Sequence, residues 1–413
     1  MARNRSSLLK AKKSKQDEFY TQYVDIEKEM NAYLEYNPDV FRDKVILLPC
    51  DDPDWSNFTK YFAQNFERLG LKKLISTSYA QDMKGYDTPL QLSLFETQSP
   101  YYDEEKTKSR GKIFTLTRQN KQVDINDLQW DYLEGDGDFR SEEVKALRDK
   151  SDVIITNPPF SLFREFLEWI MEARKSFAII GSINCISYGE VFPRIKNNEY
   201  WLGTGMGRWI SGFIVPPDYE LYGTEANVNS EGQRIVATNN CLWLTNIDHG
   251  KRHEEITLMT MADNLKFSKY QKIKEQGYPK YANYDAIEVA FSEAIPSDYD
   301  GVCGVPITWL GKYNPDVYEI IGLGNGRDHF TPNLEFKNPK AYTQNGKVSN
   351  AGMLNRVLAY PVEDKPEKGT YYTAVNLNPK TEHSKKSVVS FRVIFMQNFR
   401  YTLFELYRRE WAD

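Results

Sequence analysis

Apolar residues along the 413-residue chain fall into two alternating rhythms. Short runs of consecutive apolar, often β-branched residues at 44–49, 73–78, 153–156, 177–181 and 241–246 predict buried strands. Between the runs, apolar residues recur at helical spacing. Phe58, Tyr61, Phe62, Phe66 and Leu69 form one such face, with Gly70 placed for a left-handed stop. Ser141 is an N-cap for a helix to Lys150, with Glu142 and Glu143 in its first turn. A strongly apolar helix runs through Leu162, Phe163, Phe166, Leu167, Ile170 and Met171, and Ser161 is its expected cap. Ser187 and Glu190 have capping-box spacing for a further short helix that breaks near Pro193. Strand and helix alternate in this way over about residues 44–200, which predicts a doubly wound α/β sheet with 241–246 as a late strand.

The rhythm fails in three places. Residues 1–16 hold six Lys or Arg and no acid, giving a basic arm that is either a solvated tail or a contact for phosphates. Residues 80–131 are polar and contain proline, which predicts an insertion with a hairpin using 113–117. Beyond about residue 255, Tyr, Asn, Lys and Pro dominate. A sheet domain over 17–255 and a second region over 256–413 follow from this pattern.

Composition narrows the class. Hydrophobic residues make up 40%, charged residues 27% and aromatics 14%, the balance of a soluble, aromatic-rich globular protein. The longest apolar runs fall far short of the roughly 18 residues of a membrane span, and the basic start lacks the apolar stretch of an export signal. The expected compartment is therefore the cytoplasm. Cys50, Cys185, Cys241 and Cys303 are scattered, with no CxxC and no zinc spacing, so reduced thiols and no metal are expected. The net charge of −5 argues against a general polyanion binder but leaves room for a local basic face.

Three segments carry candidate chemistry. Asn157, Pro158, Pro159 and Phe160 directly follow the β-branched strand and precede the apolar helix. Ligands of open α/β sheets bind outside the carboxyl ends of strands, so Asn157 projects toward a substrate. An amino group conjugated to a ring is a poor nucleophile because its lone pair is delocalised. The Asn157 side-chain oxygen and the Pro158 carbonyl can each accept one of its N–H bonds and favour a more tetrahedral nitrogen. The prolines stiffen the turn and remove donors, and Phe160 offers a stacking face for an extracted base. A plain Pro-Pro turn has the same residues without chemistry, and only the position favours the catalytic reading.

Cys50, Asp51, Asp52 and Pro53 stand at the first strand–helix turn, the usual cofactor position. The turn has no glycine to cradle a pyrophosphate, which disfavours NAD and ATP. A cationic, phosphate-free cofactor such as S-adenosylmethionine fits better, although a solvated acidic turn with Asp54 as helix cap is the plainer alternative. In the third segment, Asp136, Asp138 and Phe139 lie in a Gly-Asp-Gly-Asp-Phe run that can receive an adenine ring, or is simply a turn.

In chain order these segments resemble the adenine-specific DNA methyltransferases, and in detail the EcoRI-type modification methylases. Glu18, Phe19, Tyr20, Thr21 and Gln22 look like the N-terminal motif that closes over the methionine part of the cofactor. Pro49 to Pro53 with Asn57 and Phe58 are similar to the family's glycine-poor first motif. Asp138-Phe139 matches the motif that holds the cofactor adenine, and Asn157 to Phe160 match the catalytic tetrapeptide, with Ser161 to Glu165 similar too. The resemblance covers about residues 8–250, with a weaker match at 304–322. It departs after the second strand, where Ser76, Thr77 and Ser78 replace the usual acid for the ribose hydroxyls.

The resemblance implies a Rossmann-like, seven-stranded S-adenosylmethionine-dependent methyltransferase sheet with a C-terminal DNA-recognition region. It implies transfer to N6 of a flipped adenine in double-stranded DNA, with no metal and no covalent enzyme intermediate. The expected enzyme is the modification half of a restriction-modification system, monomeric and without an obligate protein partner. Arg208, Arg234, Lys251, Arg252, Arg327, Lys385 and Lys386 are the candidate DNA contacts. Two rivals stay open: methylation of RNA adenine or of a protein glutamine amide on the same fold, and a noncatalytic DNA-binding protein. A nuclease lacks a paired-acid and lysine signature.

Overall fold

A computed structural model describes residues 20–54, 56–80, 102–119, 129–206, 210–215, 226–228, 232–236, 240–281 and 284–324, with strands at 340–342, 348–350 and 392–397. Two compact units emerge. One is Ala2–Cys185 with Tyr200–Gly250, and the other is Ile186–Glu199 with Lys251–Asp413.

The first unit opens with strand β1 (Tyr20–Thr21) and helix α1 (Tyr23–Tyr36). It continues with β2 (Val45–Leu48), α2 (Asn57–Gln64), β3 (Lys73–Thr77), α3 (Glu104–Ser109), β4 (Lys112–Thr117) and β5 (Trp130–Tyr132). Next come α4 (Glu142–Lys150), β6 (Val153–Thr156), α5 (Phe163–Glu172) and β7 (Ser176–Ser182). Helix α6 (Phe192–Lys196) belongs to the second unit, and the chain returns through β8 (Trp201–Met206), β9 (Phe213–Ile214), β10 (Ala226–Val228), β11 (Arg234–Val236) and β12 (Cys241–Thr245).

Eight strands form the main sheet in the order β5-β4-β3-β2-β6-β7-β12-β8. Its centre is parallel, β3 with β2, β2 with β6 and β6 with β7. Strand β12 runs antiparallel to both β7 and β8. The sheet has eight strands where seven are expected, six from outside the insertion and two at the edge it supplies: β4 pairs antiparallel to β3, and β5 antiparallel to β4. All four residues of β2 and of β6 are buried, as expected of β-branched strands covered on both faces. Phe58, Tyr61, Phe62, Phe66 and Leu69 pack with Ile46, Leu48 and Ile155 in one core.

Helix ends depart from the sequence expectations where local chemistry competes. Ser56, not Asp54, caps α2 by accepting from Phe58 N at 3.0 Å. That helix closes at Gln64, and the chain turns through to Gly70, whose φ is +64°. Ser141 caps α4 as predicted, accepting from Val144 N. Ser161 is not the N-cap residue of α5: Pro159 is extended (ψ 123°), a 3-10 turn covers Phe160–Leu162, and α5 starts at Phe163, after Leu162. The prolines hold the preceding backbone out of the helical region. Pro193 lies in the first turn of α6 rather than breaking it, and Val191 precedes the helix without a side-chain cap. A proline in the first turn lacks only an N–H that would have no helical partner there.

A small antiparallel sheet in the order β1-β9-β11-β10 completes the first unit. In the second unit, α7 (Met261–Phe267) and α8 (Gln271–Gln276) precede β13 (Ala286–Glu288), β14 (Val302–Pro306) and β15 (Tyr318–Leu323). The hairpin β16 (Lys340–Tyr342) and β17 (Val348–Asn350) follows, and β18 (Arg392–Gln397) inserts between β14 and β15. Among the described residues, no helix is long and apolar enough to cross a membrane.

Candidate active site

The carboxyl ends of β2, β3 and β6 meet at Asp51. Its side chain is buried, at 5% exposure. Oδ1 accepts from Ser56 Oγ at 2.6 Å, and Oδ2 accepts from Thr156 Oγ1 at 2.6 Å. Its backbone N–H donates to the Thr77 carbonyl, and its own carbonyl accepts from Ser76 Oγ. Burial pushes the Asp51 pKa up to about 7, with the negative Asp52 adding to the rise while the Ser56 and Thr156 hydroxyls oppose it.

Asp52 and Asp54 of the same turn face Lys112 at the start of β4. Lys112 Nζ is 2.7 Å from Asp54 Oδ2 and 3.7 Å from Asp52 Oδ1, over the Trp130 ring at 4.5 Å. Trp130 Nε1 donates to Asp54 Oδ1 at 2.7 Å. The insertion therefore braces the first turn from outside through a buried lysine. Cys50 is half-buried.

The N-terminal motif lies against this turn. Asn57 Nδ2 donates to the Thr21 carbonyl at 2.9 Å, and β1 pairs with β9 so that Thr21 stands opposite Phe213. Gln22 Nε2 donates to Ser211 Oγ and the Gly212 carbonyl. Asp25, in the first turn of α1, accepts from Ser211 N and Oγ through Oδ2. Two further buried atoms here, Thr21 Oγ1 and Asp25 Oδ1, have no hydrogen-bond partner among the described residues.

The expected adenine loop packs closely on the end of β3. Gly137 has φ +80°, and a Cβ there would stand 2.1 Å from the Ser78 carbonyl oxygen. Asp138 accepts from Tyr79 OH at 3.0 Å and from Arg140 through both oxygens. Burial raises the Asp138 carboxyl, but hydrogen bonds from Arg140 and Tyr79 outweigh it and hold the group below its ordinary range. Tyr79 is pushed up to about 12 by burial and by its bond to Asp138. Phe139 is buried edge-on against Phe166 and Trp169 of α5, at 5.1 and 5.7 Å. Ser76, Thr77 and Ser78 are all buried and hydrogen-bonded within the fold. They leave Tyr79 as the first partly exposed side chain after β3.

Asn157 follows the fully buried Thr156 and is itself half-buried, as are Pro159 and Phe160, while Pro158 is buried. The Phe160 ring meets Phe213 at 6.1 Å, inclined by 69°. The tetrapeptide, the first turn and the N-terminal motif thus converge on one end of the sheet, linked by Asp51–Thr156, Asn57–Thr21 and Phe160–Phe213.

Among the expected DNA contacts, Arg208, Arg327, Lys385 and Lys386 lie outside the described residues. Arg234 in β11 and Lys251 are half-buried. Arg252 needs correction, because it is 6% exposed and donates to Asn198 Oδ1, so it braces the second unit from inside. That unit carries a stronger basic feature over residues 264–284, with five lysines and a single acid, Glu275. Lys266, Lys269, Lys274 and Lys280 are exposed, and Phe267 beside them is 62% exposed. The sequence signal for it was present as charge clustering. Lys112 and Asp25 had no such signal, because burial decides their importance.

A family model described as adenine-specific methyltransferase EcoRI matches residues 7–366. The chain belongs to this family. It is 47% identical over 341 residues to the Type II methyltransferase M.EcoRI of Escherichia coli, covering 82% of this chain and 96% of that protein. The Type II methyltransferases M.MgeORF184P of Mycoplasma genitalium and M.MpnI of Mycoplasma pneumoniae are each 32% identical over 314 residues, covering 76% of this chain and 84% of theirs. No solved structure matches. The chain is an adenine-specific methyltransferase, and its α/β sheet is the methyltransferase sheet with an added antiparallel edge.

Proposed function

We propose that this chain transfers a methyl group from S-adenosylmethionine to N6 of an adenine flipped out of double-stranded DNA, as the modification half of a restriction-modification system. The observation that carries the reading is the position of Asn157, Pro158, Pro159 and Phe160 at the carboxyl end of β6, beside the first turn and the N-terminal motif.

The residues present fit the cofactor. Buried polar atoms without partners are rare, and Thr21 Oγ1 and Asp25 Oδ1 offer acceptors suited to an amino-acid ammonium. Tyr20, Thr21 and Gln22 with Cys50, Asp52 and Pro53 would hold the methionine end. Tyr79 with Asp136 and Asp138 would hold the adenosine end, and Phe139 supports that loop from the α5 side. S-adenosylmethionine supplies an electrophilic methyl group on a sulfonium. The Asn157 side-chain oxygen and the Pro158 carbonyl accept the target N–H bonds and keep the nitrogen lone pair available, while Phe160 stacks on the extracted base. Buried thiols suit a scheme without a cysteine nucleophile: burial pushes Cys303 up to about 12, and Cys185 is likewise raised.

A nucleic acid is favoured over a protein amide as the substrate by the exposed lysines of 264–284, which suit a phosphate backbone. A monomer acting on one strand per encounter is sufficient for this chemistry.

The deciding experiment offers unmethylated duplex DNA, RNA and protein in parallel with methyl-labelled cofactor. N6-methyladenine at one recurring DNA sequence is expected, and label confined to RNA or protein overturns the reading. Asn157→Ala should abolish transfer while leaving cofactor binding within a few-fold.

A further inference from the structure

We propose that Asp51 is a positioning residue which couples the cofactor turn to the catalytic tetrapeptide by holding Thr156. The inference rests on the catalytic reading of Asn157.

Asp51 stands where a cofactor contact is expected from its place in the turn. Its carboxylate instead points into the protein. Both oxygens are occupied by hydroxyls, Ser56 Oγ on one and Thr156 Oγ1 on the other, each at 2.6 Å. Ser56 is the N-cap of α2, and its Oγ accepts from Phe58 N. Thr156 is the last residue of β6 and directly precedes Asn157. The paired register of β2 and β6 covers Ile46 with Val153 and Leu47 with Ile154. Beyond that ladder, the carboxylate bridges the two chains as they leave the sheet. The backbone of Asp51 is fixed separately to Thr77 and Ser76 of β3.

The turn after β2, the cap of α2 and the end of β6 therefore meet at one side chain, next to Asn157. A methyl transfer that depends on positioning is sensitive to this, because a displacement of about 1 Å can cost roughly 100-fold in rate. Contact with the cofactor would require this side chain, only 5% exposed, to swing outward and break its hydroxyl bonds. A buried carboxylate with two short hydroxyl bonds has little reason to do so.

The test compares Thr156→Val, which keeps the β-branched shape and removes the hydroxyl, with Thr156→Ser, which keeps the hydroxyl. Asp51→Asn is the third variant. Each is measured for single-turnover transfer to duplex DNA, for cofactor dissociation constant by calorimetry, and for thermal unfolding. Thr156→Val and Asp51→Asn should transfer on the order of 10- to 100-fold more slowly, with cofactor affinity changed by no more than about threefold, and Thr156→Ser should recover most of the rate. The proposal is overturned if Thr156→Val transfers at the wild-type rate. It is also overturned if Thr156→Ser is as slow as Thr156→Val, or if cofactor affinity falls in step with rate. Asn157→Ala serves as the control: full activity there removes the catalytic reading itself, whereas an inactive Asn157→Ala beside a normal Thr156→Val removes only the coupling.

Discussion

Lys112→Met isolates what the insertion contributes to the first turn. Lys112 is 4% exposed, and its ammonium is shared between Asp54 at 2.7 Å and Asp52 at 3.7 Å, above the Trp130 ring. Methionine keeps the buried stem and removes the charge. Breaking one side of a buried ion pair costs about 3–5 kcal/mol. Asp54 is 23% exposed and keeps its bond from Trp130 Nε1, so hydration recovers part of that, and the expected loss is about 2–3 kcal/mol. Urea unfolding of wild type, Lys112→Met, Asp54→Asn and the double variant measures it. The cycle should give a coupling of about 1–3 kcal/mol, and Lys112→Met should weaken cofactor binding because Asp52 and Asp54 are no longer held together. A Lys112→Met protein within about 0.5 kcal/mol of wild type and with unchanged cofactor affinity would refute the bracing role.

Three other outcomes can be measured directly. Asp51 has a folded pKa of about 7 against an ordinary value of 3.8, so its favourable contribution is complete below about pH 4 and is lost as pH rises through 7. Asp51→Asn should therefore gain stability over wild type progressively from pH 4 to 8, up to about 4 kcal/mol, and a difference independent of pH would contradict the buried, protonatable carboxylate. Gly137→Ala meets both a positive φ and the Ser78 carbonyl oxygen at 2.1 Å, so it should lose about 2–6 kcal/mol, and wild-type melting would show that the loop is placed differently. Replacing Lys266, Lys269 and Lys274 together with Gln should lower the salt slope of DNA binding by about 3 and weaken all sequences alike, and an unchanged slope would remove this face from the interface.

Much of the sheet was legible because β-branched runs such as 153–156, between a capped charged helix and a strongly apolar one, have few alternatives. The edge was legible only in part: 113–117 was expected as a hairpin strand and β4 covers Lys112–Thr117, but nothing in a polar stretch showed that it would pair with β3 as well as β5 and so extend the main sheet. Cap residues were legible where a single oxygen faced a free N–H, as at Ser141. They failed where proline fixed the approach, as at Ser161. Buried charges gave no local signal at all. Glu29 on α1 reads as a surface acid, yet it is 1% exposed and accepts from Tyr33 OH, Thr204 N and Oγ1, and Gly205 N. A Cβ on Gly203 would fall 2.0 Å from its carboxylate. Partners 175 residues away in the chain decide such a position.

The glycine-poor first turn makes sense once Asp51 is seen to face inward. Glycines at this turn let backbone N–H groups approach a pyrophosphate, and a cofactor without phosphates has no need of that approach. What it does need is a turn held at fixed height relative to the strand that carries the catalytic tetrapeptide. A carboxylate bridging Ser56 and Thr156 supplies this with two hydrogen bonds, and Lys112 steadies the outer face through Asp52 and Asp54. Two side chains, Asp51 from inside and Lys112 from outside, thereby fix a turn that glycines would have left flexible. The substitution has a definite consequence. Changes at Asp51 should alter rate more than cofactor affinity, changes at Lys112 should alter cofactor affinity and stability together, and the same outcome from both would mean that the turn responds as one undivided unit.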